Sequence, residues 1–126
     1  MTAATDRKPG QAPSTPVPAL YRVEGAAVAA GAVVLFVCFG FAWWWLLVFF
    51  LVLDFSFLGY IGGIRAGGIA YNLAHNYVVP SVLLATYGVL LTAGVTVESL
   101  VFIAGPWFFH VGLDRALGYG PRPLTW

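Results

Sequence analysis

From Val23 to Leu117 the chain is a succession of apolar runs broken only by short, mostly Gly-rich interruptions. Each run is about as long as the 20 residues a helix needs to cross the hydrocarbon core of a bilayer. Neither strand alternation nor the one-sided stripe of a soluble helix is present. Four membrane spans are expected, over Val23–Phe41, Trp43–Ile61, Gly68–Leu91 and Glu98–Leu117. The links at Gly40, at Gly62–Gly67 and at Ala93–Thr96 are short, as antiparallel neighbours require. The expectation is an all-α, integral membrane four-helix up-down bundle occupying residues 21–126. Apolar types make up 60% of the chain and charged types 9%, which excludes an ordinary soluble domain.

Residues 1–20 are rich in Pro, Ala, Ser and Thr and are expected to form a disordered cytoplasmic tail. They do not read as a secretory signal, because polar residues precede the first apolar run. With four spans, one side collects Arg7, Lys8, Arg22, Arg65, Arg115 and Arg122, and the other holds only Glu98. The positive-inside rule then places both termini in the cytoplasm and the chain in the inner (plasma) membrane. Trp43, Trp44 and Trp45 suit an outer aromatic belt. Gly59 with Gly63, Gly25 with Ala29, and Gly112 with Ala116 form small-residue rows that allow close helix packing. Cys38 is expected to be a small buried hydrophobe. The net charge of +1 is spread along one rim, so nucleic acid is excluded as a partner. The bilayer is the expected partner, with a homo-oligomer or another membrane protein as further options.

The polar exceptions concentrate at one depth. Counted from the inner end of each span, Asp54 lies about 12 Å deep, His75 and His110 about 11 Å, and Asp114 about 5 Å. Tyr71, Asn72 and His75 share a helical face, as do His110 and Asp114. Ionisable groups at membrane depth must be paired, hydrated or functional. Arg115 and Arg65 suit snorkelling anchors. Pro80 and Pro106 each remove a helix hydrogen bond, free the carbonyls of Asn76 and Phe102, and allow kinks that would open a polar pocket.

The segments LDFSFLGYIGG, YNLAHNYVVP and HVGLDRALGYG together resemble the small bacterial membrane proteins grouped as domain of unknown function 4260. The resemblance implies a small integral membrane protein with signature positions at Asp54, Ser56, Gly59, Tyr60, Tyr71, Asn72, His75, Tyr77, Pro80, His110, Gly112, Asp114, Arg115, Gly118 and Tyr119. It implies no activity. The PRPLTW ending is shorter than the tail of the family pattern.

Three readings of the polar layer stand beside each other. A divalent transition metal (zinc, iron or manganese) would be held by His75, His110 and one or both of Asp54 and Asp114, with Tyr60, Tyr71, Asn72, Asn76 and Arg115 in support. An open coordination position would make this a hydrolase for a lipid or lipid-linked ester. Alternatively His75 and His110 ligate a b-type haem. In the third reading the same residues form a structural or interaction network that fixes helix register or carries protons. Transport would require an oligomer, since no internal repeat is present.

Overall fold

The computed structural model describes residues 17–122 and 124. Among them every regular element is helical: α1 (Ala19–Cys38), α2 (Trp45–Asp54), a 3-10 segment (Phe55–Gly62), α3 (Ile64–Ala74), α4 (Val78–Thr92) and α5 (Ser99–Ala116). The expected tail lies outside the described residues, except that α1 begins at Ala19, four residues ahead of the expected start.

Three stretches are long and apolar enough to cross a membrane: Ala19–Cys38, Trp45–Gly62 and Ile64–Thr92. The fourth expected span, realised as α5, is not among them, and its place in the fold gives the reason. Helix α5 packs against α1, α2 and α4, and Val101, Ala104, His110 and Val111 are fully enclosed. A helix sheathed by other helices is solvated by protein, so it can carry His110, Asp114 and Arg115 that a lipid-facing helix could not. The outer faces of α1, α2 and α4 expose Val34, Leu51 and Val82, the apolar surface that a lipid environment would cover.

The α1–α5 crossing depends on absent side chains. A Cβ at Gly25 would lie 2.7 Å from the Gly112 carbonyl oxygen, and one at Gly112 would lie 2.7 Å from the Gly25 oxygen and 2.8 Å from the Ala29 nitrogen. The two small rows therefore meet each other, and the start of α1 lies beside the end of α5. There Arg22 Nε donates to the Ala116 carbonyl at 3.1 Å. The expected Gly59–Gly63 row divides instead: Gly59 packs on Ala70, whereas Gly63 faces open space at φ 109°, the turn that starts α3. At the opposite end of α1, Phe36 is fully buried against Phe41 and Phe102, with ring centroids 5.0 and 5.7 Å away. Cys38 is exposed, not buried as expected, because it lies in the last turn of α1 on the face away from α5.

Two of the expected spans are interrupted. The second changes from α to 3-10 geometry after Asp54, and the third breaks at His75, whose backbone (φ −106°, ψ 48°) is not helical. Pro80 does not produce this break. It occupies the first turn of α4, where a missing N–H costs nothing. Helix α5 runs unbroken through Pro106.

Candidate functional site

Ending α3 within an apolar run leaves the carbonyls of Asn72, Leu73 and Ala74 without helical donors, and each finds a side-chain donor. Tyr71 O accepts from the His75 backbone N–H at 2.8 Å and from His75 Nδ1 at 2.9 Å. Asn76 Nδ2 donates to Asn72 O at 2.6 Å and to Leu73 O at 2.8 Å, while its Oδ1 accepts from the Val78 N–H at 2.8 Å. Trp107 Nε1, from α5, donates to Ala74 O at 2.6 Å. Broken helices at membrane depth are tolerated where protein groups repair them or a cavity is lined. This break is repaired almost entirely by side chains, and it aims His75 at α5.

The result is a four-residue focus. His75 Nε2 lies 2.9 Å from His110 Nε2. Asp114 Oδ2 lies 3.2 Å from His110 Nε2 and 3.5 Å from His75 Nε2, and Asp54 Oδ1 lies 3.3 and 3.9 Å from the same two atoms. One donor atom each from Asp54, His75 and His110 falls within a sphere of mutual distances below 4.8 Å. The imidazoles are enclosed, with side chains 4% and 0% exposed, whereas Asp54 is 40% and Asp114 16% exposed. The His75 ring stacks on Tyr71 at 3.8 Å and 8°, and the His110 ring packs on Phe50 at 3.9 Å.

Hydrogen-bond chemistry sets the protons. A carbonyl only accepts, so His75 Nδ1 carries a hydrogen and, in the neutral ring, Nε2 presents a lone pair towards the focus. At 2.9 Å the two Nε2 atoms cannot both carry hydrogens, so at most one proton lies between the rings. His110 Nδ1 is buried without a partner.

The profile of the family described as Domain of unknown function (DUF4260) matches residues 18–123. The chain belongs to this family. All four focal residues of this DUF4260 protein lie within the matched region. No curated protein and no solved structure matches the chain.

The supporting residues expected from sequence separate into different roles in the DUF4260 chain. Tyr71 stacks on and orients His75. Asn76 repairs the helix break. Asn72 binds the C-terminal segment: the Arg122 N–H donates to Asn72 Oδ1 at 2.7 Å, and Asn72 Nδ2 donates to Arg122 O at 2.9 Å. Tyr60 packs over Gly67, and Arg115 lies over the Tyr77 ring at 5.1 Å, so neither reaches the focus. Beside the focus is a cavity of about 340 Å³ lined by Phe50, Asp54, Phe57, Tyr71, Asp114 and Leu117, with Tyr119 and Arg122 completing its wall. The sequence carried no depth signal for Phe50, Phe57 or Arg122. Trp107 was detectable as a polar-edged residue one turn before His110 on the same helix.

The haem reading does not fit. Two axial imidazole nitrogens straddle an iron at about 4 Å, twice a metal–nitrogen bond of about 2 Å, with a macrocycle between the rings. Here the nitrogens are 2.9 Å apart and the ring centroids 4.8 Å.

Proposed function

We propose that this protein is an integral membrane metalloprotein that holds one divalent transition ion between His75, His110, Asp114 and Asp54. The observation that carries the reading is the 2.9 Å Nε2–Nε2 approach with carboxylate oxygens 3.2 and 3.3 Å from His110 Nε2 and 3.5 Å from His75 Nε2. Ionised, the two carboxylates bring two negative charges into a largely enclosed site. The imidazole pair can add at most one positive charge, which offsets half of that, whereas a divalent ion offsets all of it. Ligands about 2.0–2.1 Å from a tetrahedral ion lie about 3.3 Å apart, the middle of the observed range of separations. The Tyr71 carbonyl on His75 Nδ1 is the outer-shell partner expected of a ligating histidine. A purely structural network explains less, because only one shared proton would then bridge two imidazole nitrogens that both face carboxylates.

The adjoining cavity favours a catalytic extension of this reading, a hydrolase for a lipid or lipid-linked ester. Both carboxylates border the cavity, so an ion between them faces space in which a bound water could be activated.

The proposed setting is the inner (plasma) membrane, in an up-down bundle with both termini cytoplasmic. It is supported by the gathering of all six basic residues on one side of the expected topology and by the pairing of the start of α1 with the end of α5.

Elemental analysis of protein purified in mild detergent without a histidine tag tests the metal. The expected result is about one transition ion per chain, near-zero content in His75→Ala and His110→Ala, and no Soret band. Protein that is metal-free as purified and takes up no zinc, iron or manganese on addition would overturn the reading. A C-terminal alkaline phosphatase fusion that is active outside the cell would overturn the topology.

A further inference from the structure

Arg122 is presented to the cavity in a way that a surface arginine is not. Its backbone is clamped on both sides by Asn72, through the 2.7 Å and 2.9 Å hydrogen bonds. The guanidinium carbon lies over the Tyr71 ring at 5.0 Å and the Phe57 ring at 5.9 Å. No carboxylate pairs with it: among the described residues every ion pair involves His75 or His110. Asp54 and Asp114 border the same cavity. A residue with a planar, permanently charged fork thus lines the same space as the two carboxylates of the proposed metal site.

We propose that this cavity binds a phosphate ester, with the phosphate oxygens bridging the metal ion and the Arg122 guanidinium. The inference rests on the metal reading, since without the ion Asp54 and Asp114 would repel an anion. Phosphate fits better than carboxylate because its several oxygens can take a bidentate arginine contact and a metal contact at once. The cavity of about 340 Å³ exceeds a phosphate group, and its rim is apolar. Phe57, Leu117 and Tyr119 there are 44%, 61% and 53% exposed. An ester with an apolar substituent would bury that rim. The phosphate can come from a lipid headgroup or from a soluble ester, and the same chemistry recognises both.

The test uses full-length protein in dodecyl maltoside, loaded with Mn²⁺, with ³¹P line broadening read for inorganic phosphate, glycerol 3-phosphate and dihexanoyl phosphatidate. His75→Ala protein at equal Mn²⁺ sets the background from free ion. The expected result is saturable broadening above that background. Arg122→Ala should keep its Mn²⁺ but bind phosphate about 10- to 100-fold more weakly, the effect of losing one charge-assisted pair, and Arg122→Lys should fall between. Tighter binding of dihexanoyl phosphatidate than of glycerol 3-phosphate assigns the site to a lipid headgroup; equal binding assigns it to a soluble ester. Mn²⁺ retained with no phosphate broadening, or broadening unchanged in Arg122→Ala, overturns the anion site and leaves the metal standing. Wild-type protein that takes up no Mn²⁺ overturns both.

Discussion

Replacing His75 with alanine should abolish the stabilisation that a divalent ion confers on the folded protein. An ion present at 100 times its dissociation constant stabilises by about 2.7 kcal/mol. For a domain of this size each kcal/mol shifts the melting temperature by about 4–8 °C. The wild type should therefore melt roughly 10–20 °C higher with zinc or manganese than with chelator. His75 Nε2 lies 2.9, 3.5 and 3.9 Å from the other three donor atoms, so its loss leaves an incomplete set. His75→Ala should then show almost no ion-dependent increment. The variant will also melt lower in chelator, by about 2–4 kcal/mol, because it leaves a cavity and frees the Tyr71 carbonyl of one donor. That loss occurs whether the layer is a metal centre or a network, so the increment is the quantity that decides. Intrinsic fluorescence melting in detergent reads it directly, given five tryptophans. Cys38→Ser, at an exposed position, should retain the full increment. A wild type with no increment, or a His75→Ala protein that keeps it, would refute the reasoning.

Asp54→Asn is nearly isosteric at a side chain 40% exposed, so it should fold normally while losing at least about tenfold in metal affinity, measurable by competition with a fluorescent chelator. Gly112→Ala places a Cβ 2.7 Å from the Gly25 oxygen and should destabilise by about 1–3 kcal/mol through overpacking; an unchanged melting temperature would mean that α1 and α5 do not cross this closely. Asn76→Ala removes three hydrogen bonds at the break before α4 and should cost about 2–4 kcal/mol. Metal occupancy should fall with it, as His75 loses its position; full occupancy would show that the break is held by other means.

The length and spacing of the apolar runs determined by themselves that this chain is helical, and they placed His75, His110, Asp54 and Asp114 at comparable depth, because a fixed rise per residue converts sequence position into height. The small-residue rows at Gly25 and Gly112 marked faces suited to close packing, but that these two faces meet each other was decided by the fold. Rise per residue contains no information about which helix stands in the middle. That α5 is enclosed, and so free to be the least apolar of the four, was decided by packing. The same is true of the two interruptions. A helix ends in an apolar environment only where its carbonyls find donors: Asn76 supplies two of them locally, but Trp107, 33 residues away, supplies its own only once α5 has docked. Sequence pattern favoured prolines as the source of bends, yet Pro80 starts a helix, where the missing N–H would have had no partner, and α5 continues through Pro106 although its bond to the Phe102 carbonyl is lost. Arg122 joined the site through Asn72, across 50 residues of chain, a pairing that no local periodicity encodes. The sequence supplied the donor types and their heights; tertiary structure supplied their convergence, since only docking of separate helices brings side chains from α2, α3 and α5 within about 4 Å of one another.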